Sequence, residues 1–303
     1  MDIQQINTIN NNNNLTFNSD EYELLLKSLD IIPTSDFLLT TVNFWNNANN
    51  VQLFKLENAI LLVLFNPPFG DAFSHLLANN LTDNLLKIAK QKTKDLGIAK
   101  LKISYSQSNC EQDFISNLFP ETDEFEYIYN LIDLAQLQGS KYKKQRNAYA
   151  KALKENSELT IELADLATLE NKEEVKQFCK DCMQIKSDRN HSDEPNLQRE
   201  WLAFQKCIDL SSNLNLKIIK LYTNQKLSGL LIYEEFNDEW IVGHFFKTFL
   251  GLGMYLLNQL SVALSEQGFK YFNFQEDRGV ESLRYFKQQL NPAFQLKTYS
   301  IAL

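Results

Sequence analysis

The sequence predicts an α/β (α+β) protein made of two tandem domains of like topology. Each would be a mixed, mostly antiparallel sheet flanked by helices. Three observations carry that expectation. The chain has 303 residues, more than one core ordinarily organises. Its apolar fraction of 44% and aromatic fraction of 12% suit packed cores rather than disorder. Strand-like alternation and helical spacing also succeed one another in an order that both halves share.

The second half is the clearer. "LTIELADL" (159–166) alternates apolar and polar residues, as a half-buried strand does. "NKEEVKQFCKDCMQIK" sets Val175, Phe178, Cys179 and Cys182 at helical spacing. "SDRNHSDEPN" (187–196) is a polar, turn-rich loop. "LQREWLAFQKCIDLSS" (197–212) returns to a helical stripe through Trp201, Phe204, Ile208 and Leu210. Three strands follow, "LKIIKLYTN", "KLSGLLIYEEF" and "EWIVGHFFKTF". Their short links, "NQK" and "NDE", favour antiparallel neighbours.

"LGMYLLNQLSVALSEQG" (252–268) is a helix closed by Gly268. "FKYFNFQE" (269–276) is a strand, "VESLRYFKQQLN" (280–291) a helix ended by Pro292, and "AFQLKTYSIAL" a strand or strand pair. The long helix makes "EWIVGHFFKTF" and "FKYFNFQE" parallel neighbours through a right-handed crossover. The resulting order, βααβββαβαβ, is the topology of the GNAT acyltransferases. In those enzymes the two parallel strands open a wedge for a reactive ester.

The first half repeats the order more weakly. "SDEYELLLKSLDII" reads as a helix with Asp20 and Glu23 at capping-box spacing. "VQLFKLENAILLVLF" reads as two strands about a turn at Glu57–Asn58. "HLLANNLTDNLLKIAKQKTKDLG" reads as a helix, "AKLKISYS" as a strand, "EQDFISNLF" as a helix and "FEYIYNLIDL" as a strand. "NPPFG" (66–70) is a rigid loop. The halves share no obvious identity, so the repeat is one of topology. The expected divisions are an Asn-rich disordered terminus (1–18), a first GNAT-like domain (19–138), a basic connecting helix (139–157) and a second GNAT-like domain (158–303).

A net charge of -8 argues against nucleic-acid binding over the whole surface but leaves room for a local anion site. The longest apolar run, Ala59 to Phe65, is far short of the roughly 20 residues a helical span needs. The N-terminus lacks the basic and apolar regions of a signal peptide, so a cytoplasmic protein is expected. Cys179 and Cys182 make a lone C-x-x-C, without a second pair and with Cys110 and Cys207 at no ligand-like spacing. Ordinary thiols one helical turn apart account for it, and His75, His191 and His244 form no metal pair. No metal is expected.

Four stretches carry chemistry. "KTFLGLGMYLLNQL" puts Gly251 and Gly253 between a strand and a helix, where backbone N–H groups can hold a pyrophosphate. The same glycines also suit a plain tight turn. Thr248 stands where GNAT enzymes carry Arg or Gln, and Lys247 is one position off. "FNFQEDRGVESLRYFKQQ" puts Glu276, Asp277 and Arg278 at a strand end, where carboxylates can accept a proton from an amine or simply cap the next helix. His244, on an apolar strand, is either a base or a satisfied core residue. "GSKYKKQRNAYAKALKEN" gathers Lys141, Lys143, Lys144, Arg146, Lys151 and Lys154 against one carboxylate, Glu155. It is either a solvated basic helix or a phosphate clamp centred on Arg146.

Two of these stretches resemble a known family. "YIYNLIDLAQLQGSKYKKQRNAYAKALKE" resembles a Y-x-Y strand and leucine-containing turn leading to G-x-K-Y-x-K-x-R-N. "QEDRGVESLRYFK" resembles an E-D-x-G-x-x-x-L-R-x-x-K element, and "VNFWN" and "NPPFG" fit the first half. The family is the bacterial group related to the C-terminal synthase domain of phosphatidylglycerol lysyltransferase, and the likeness runs from about Phe37 to Leu303. It implies a tandem GNAT fold, shared with the Fem-type aminoacyl transferases, and transfer of an acyl or aminoacyl group to an amine or hydroxyl.

Lys141, Arg146, Asn147, His244, Glu276, Asp277, Gly279, Arg284 and Lys287 match motif positions. The chain departs from the pattern in having no counterpart of the lysyltransferase's membrane-embedded part and in having Thr248 at the glycine turn. These departures bear on lipid as acceptor and acetyl-CoA as donor.

The combined expectation is a transferase using acyl-CoA or aminoacyl-tRNA as donor, with a small molecule or lipid headgroup as acceptor. Glu276, Asp277 and His244 would be catalytic. Lys141, Lys143, Lys144, Arg146, Asn147, Gly251, Gly253, Arg278, Arg284 and Lys287 would bind substrate or cofactor. The alternative is a non-catalytic GNAT-fold module that binds an anionic metabolite or lipid headgroup.

Overall fold

The structure is a computed structural model. It describes residues 3–5, 7–9, 15–17, 22, 26, 29, 32, 34–45, 51–56, 59–65, 71–105, 118–156, 158–189 and 194–303. The loop 66–70, the helix expected from Glu111, the capping pair Asp20 and Glu23, the turn at Glu57–Asn58, Cys110 and His191 lie outside the described residues. The chain forms two compact units, one of Met1–Phe125 with Leu296–Leu303 and one of Glu126–Gln295.

The first unit contains β1 (Ile3–Gln5), β2 (Asn7–Ile9), β3 (Leu15–Phe17), helix α1 (Leu39–Trp45), β4 (Val51–Leu56), β5 (Ala59–Leu64), β6 (Phe73–Ala78), α2 (Asp83–Asp95), β7 (Lys100–Tyr105) and β8 (Phe119–Pro120). Its main sheet runs β1-β4-β5-β6-β7, then the C-terminal strand Tyr299–Ala302, then β8. The Asn-rich terminus thus contributes an edge strand, Ile3–Gln5 pairing antiparallel with Phe54–Leu56, where the sequence suggested no order. The polar run 10–14 is outside the described residues.

A second difference is at His75. The sequence reading began a helix there, but Phe73–Ala78 is a strand buried along its whole length, antiparallel to β5 and parallel to β7. The short stretch FSHLLA has no period that separates helix from strand, and burial between two strands decides it. The helix starts only after Thr82, whose hydroxyl accepts from the Leu85 N–H at 3.2 Å. On one face of the sheet Leu61, Val63, Leu76 and Leu101 pack with α2, and on the other Ile60, Leu62 and Leu77 pack with Phe37 and Val42.

The second unit contains β9 (Glu126–Asn130), α3 (Leu131–Gln136), α4 (Lys143–Glu155), β10 (Leu159–Asp165), α5 (Lys172–Arg189), α6 (Glu194–Asp209), β11 (Leu216–Thr223), β12 (Lys226–Glu235), β13 (Trp240–Thr248), α7 (Gly253–Glu266), β14 (Tyr271–Asn273), α8 (Glu281–Gln289) and β15 (Phe294–Leu296). Its sheet runs β10-β11-β12-β13-β14-β9-β15. β10 to β13 are antiparallel neighbours, and β13 pairs parallel with β14 across α7. This is the tandem GNAT-like architecture the element order implies.

The strand expected over "FEYIYNLIDL" stops at Asn130. Leu131 and Leu134, one helical turn apart, are buried in the core that α7 supplies, so the chain turns helical there. Asn258 of α7 fixes this turn by donating to the carbonyls of Leu134 and Ala135, both at 2.8 Å. Among the described residues no helix is long and apolar enough to cross a membrane.

Candidate active site

β13 and β14 pair only over Trp240–Val242 and Tyr271–Asn273. The matching parallel pair of the first unit, β6 and β7, stays in register over five residues, Ser74–Ala78 against Leu101–Tyr105. Two devices end the pairing in the second unit. On β13, a bulge inserts His244 between Gly243, opposite Tyr233, and Phe245, opposite Ile232. One extra residue lets Ile241 and Phe246 serve the same core, which strict alternation would forbid. On the β14 side, Gln275 turns into the left-handed region at φ 57°, followed by Arg278 at 52° and Gly279 at 74°.

That irregular backbone carries three successive carbonyls beyond the β13–β14 ladder, of which only that of Gln275 also accepts from a strand, the Tyr127 N–H of β9 at 3.1 Å, among the described residues. Lys287 takes them. Its side chain is buried, and Nζ donates to the carbonyls of Phe274 at 2.5 Å, Gln275 at 3.1 Å and Glu276 at 2.6 Å. Three acceptors for three N–H bonds satisfy the ammonium completely. Burial pushes its pKa down to about 8, against the upward pull of the Glu276, Glu126 and Asp277 carboxylates. The aromatic rings of Phe246, Phe274 and Phe286 pack beside this turn, Phe246 stacked on Phe286 at 6.2 Å and edge-on to Phe274 at 5.4 Å.

Beyond the paired residues a side-chain bridge spans the two strands. The Gln275 amide nitrogen lies 3.2 Å from His244 Nδ1, and His244 Nε2 lies 3.3 Å from Glu234 Oε1. An amide N–H can only donate, so Nδ1 accepts and the ring proton sits on Nε2, facing the carboxylate. The His244 side chain is almost fully enclosed.

Asp277 is fully buried and its carboxylate is saturated. Oδ2 accepts from the Tyr127 hydroxyl at 2.6 Å and Arg284 Nε at 3.0 Å, and Oδ1 from Arg284 Nη2 at 2.8 Å and the Gly279 N–H at 2.9 Å. Burial raises its pKa, but the Arg284, Tyr127 and Gly279 hydrogen bonds outweigh that and hold it below the usual carboxylate range. The Tyr127 hydroxyl is pushed up to about 12, by burial first and then by Asp277. Glu276, by contrast, is partly open and pairs with Arg278 Nε at 2.5 Å. Because the strands are parallel, Glu276 and the Gly251–Gly253 turn follow the same edge of the sheet.

At that turn Gly251 has φ +88°, which favours glycine, and Gly253 opens α7 with Phe246 3.4 Å from where a Cβ would sit. Lys247 does not serve the turn. It lies on the other face, largely buried, with Nζ 2.6 Å from Glu200 of α6.

The cations of α4 are placed differently. Gln145 and Ala152 are its buried positions, Tyr142 just before it is buried too, and Tyr149 stacks on Tyr255 at 5.4 Å. Lys143, Arg146 and Asn147 lie on the exposed side. Arg146 Nη1 donates to the carbonyls of Leu137 at 2.5 Å and Gly139 at 2.7 Å, closing the end of α3. Lys141 lies 3.5 Å from Asp133, and Lys144 donates to Gln289 Oε1 at 3.0 Å. Gln289 ends α8, two residues after Lys287. The structure therefore gathers His244, Glu276, Asp277, Arg278, Arg284 and Lys287 at one sheet edge, and sets Lys144 at the far end of α8. Sequence reasoning missed Tyr127, Glu234 and Gln275. Tyr127 opens the Y-x-Y strand, which was a usable signal, whereas nothing in the sequence marks Glu234 or Gln275.

Residues 40–302 match the phosphatidylglycerol lysyltransferase C-terminal family. The chain belongs to that family. No curated protein matches it in sequence. Among solved structures it resembles a conserved Bacteroides thetaiotaomicron protein of unknown function, with TM-score 0.72 and 16% identity over 94% of this chain and 96% of that one. It also resembles L-PGS from Bacillus licheniformis, with TM-score 0.56 and 14% identity over 93% and 91%. A third likeness is a C-terminal domain (DUF2156) from Agrobacterium fabrum, described as that of a lysylphosphatidylglycerol synthetase, with TM-score 0.58 and 12% identity over 93% and 91%. At these identities the likenesses show a shared fold. Membership in the phosphatidylglycerol lysyltransferase C-terminal family, together with that fold, points to acyltransferase-type chemistry. Among the described residues no group of His, Cys, Asp and Glu side chains could hold a metal ion. Cys179 and Cys207 are buried, and burial raises both thiols well above their usual range.

Proposed function

We propose that the second unit transfers an acyl or aminoacyl group from an acyl-CoA or aminoacyl-tRNA donor to an amine or hydroxyl acceptor. The observation that carries this reading is the early end of β13–β14 pairing, held open by Lys287 on three carbonyls. A donor carbonyl placed there would meet Glu276 and the backbone of β13. Glu276 would orient the acceptor and take its proton, since it keeps solvent contact while Asp277 is saturated. Asp277 and Arg284 would fix the loop, and the Glu234–His244–Gln275 bridge would hold the two strands at a set spacing. Lys247 is committed to Glu200, so it is not offered to a pyrophosphate at the Gly251–Gly253 turn. That weighs toward an aminoacyl ester. The exposed cations of α4 would supply field for an anionic donor or for a lipid headgroup.

The test is a transfer assay with the full chain. Radiolabelled aminoacyl-tRNA or acetyl-CoA is offered with free primary amines or with phosphatidylglycerol vesicles. Labelled product is expected, and Glu276→Gln should lower its rate by about 100-fold or more. Thermal stabilisation by these molecules without any product would sink the transferase reading in favour of a binding module.

A further inference from the structure

The first unit carries a separate polar cluster. Asp36 Oδ2 lies 3.1 Å from His75 Nδ1, and His75 Nε2 lies 2.9 Å from Ser104 Oγ. Asp36 belongs to the short 3-10 turn Ser35–Phe37, His75 to β6, and Ser104 to the C-terminal end of β7. An ionised carboxylate only accepts, so Nδ1 carries the ring proton. In the neutral ring Nε2 is then an acceptor, and the Ser104 hydroxyl donates to it. Ser104 Oγ also faces Thr298 Oγ1 at 3.3 Å, which can donate in turn. Phe37 and Phe73 pack edge-on to the imidazole at 4.8 and 6.5 Å and fix its plane. This is the order of groups by which a base on Oγ–H and a carboxylate orienting that base activate a serine hydroxyl.

A buried neutral imidazole needs only one donor and one acceptor, and uncharged groups suffice. Here the acceptor is a carboxylate that stabilises the imidazolium formed when Oγ loses its proton. Two residues before Asp36, the buried Thr34 hydroxyl has no partner among the described residues. The parallel β6–β7 pair keeps Ser104 near a C-terminal strand end, where α/β sheets place their ligands.

We infer that Asp36, His75 and Ser104 form a serine-nucleophile site that accepts the acyl group of a small activated ester. Ser104 Oγ bonds the carbonyl carbon while its proton passes to His75 Nε2. The ester C–O bond breaks, and the leaving alcohol or phenol takes that proton. Water then cleaves the acyl-serine by the same route, which restores the hydroxyl. His75 is 0% and Ser104 4% exposed, so the acyl group must be short. Lys102, on the same face, already pairs with Glu124 at 2.6 Å and is not assigned a part in the step.

The experiment treats the full chain with a small fluorophosphonate, which forms an Oγ–P bond and expels fluoride, and separately with p-nitrophenyl acetate. Peptide mass spectrometry is expected to locate the phosphonyl group on Ser104, and Ser104→Ala should abolish both the label and nitrophenolate release. Asp36→Asn should slow labelling by about 100-fold or more, because it favours the wrong tautomer. Unmodified Ser104 after long exposure of the folded wild-type protein would overturn the inference, whatever the variants do. So would an unchanged labelling rate in folded Asp36→Asn.

Discussion

Lys287 Nζ sits 2.6 Å from the carbonyl oxygen of Glu276, the residue whose side chain is proposed to take the acceptor's proton. The same ammonium holds the carbonyls of Phe274 and Gln275. One buried cation thus replaces the strand neighbour that β14 gives up when it leaves β13.

Replacing Lys287 with Met should cost about 3 kcal/mol or more, since three carbonyls lose a charge-assisted donor in a buried setting. Urea denaturation of wild type and variant measures it. A loss below about 1 kcal/mol would mean that water or backbone relaxation serves those carbonyls.

The same lysine gives stability a pH signature. Below about pH 8 it is protonated in folded and unfolded chains and contributes no slope. Between about 8 and its ordinary value near 10.4, the unfolded chain holds the proton and the folded chain does not. Unfolding then takes up a proton, so stability from this group rises with pH, by up to about 1.4 kcal/mol per pH unit. Wild type should gain about 1.5 kcal/mol relative to Lys287→Met between about pH 8 and 9.5. Parallel curves over that window would contradict the assignment.

Asp277 and Arg284 should behave as a coupled pair. Arg284→Ala leaves a buried carboxylate with only Tyr127 and Gly279 as donors, and a loss of about 3 kcal/mol is expected. Asp277→Asn should cost a similar amount. A double-mutant cycle should return a coupling of at least about 1 kcal/mol, and additivity would refute the bidentate geometry.

Arg146→Ala should destabilise by about 1–2 kcal/mol, because Nη1 satisfies the carbonyls of Leu137 and Gly139 at the end of α3. Arg146→Lys should recover only part of this. If Arg146 serves ligand alone, melting would be unchanged while affinity fell.

Gly243→Ala tests the bulge. A Cβ there would lie 2.8 Å from Cε2 of Phe272, so one ring or one strand must move. The expected loss is about 1–3 kcal/mol. Gly251→Ala meets no neighbour and should cost only its backbone strain at φ +88°.

Much of the second unit was legible because its signals are local. Gly268 closes α7 at φ +101°, as a residue without Cβ can, and the short link at Asn224–Gln225 made β11 and β12 antiparallel. Phe73–Ala78 was not legible. Six buried residues in a row have no period to read, and only β5 and β7 on either side make them a strand.

The candidate site divides the same way. Glu276, Asp277 and Arg284 stood out as charged residues between a strand and a helix, but their partners did not. Tyr127 and Asp277 meet across 150 positions of chain, Gln275 and His244 across 31. By itself the sequence determined the order of elements, the parallel setting of β13 and β14, and the presence of charge at their C-terminal edge, because spacing and turn chemistry act over a few residues. Only the tertiary structure decided that Lys287 faces inward onto carbonyls, that Lys247 turns to Glu200 rather than to the glycine turn, and that Arg146 closes a helix. A cation's role depends on which acceptor burial places within about 3 Å of it, and no linear spacing encodes that.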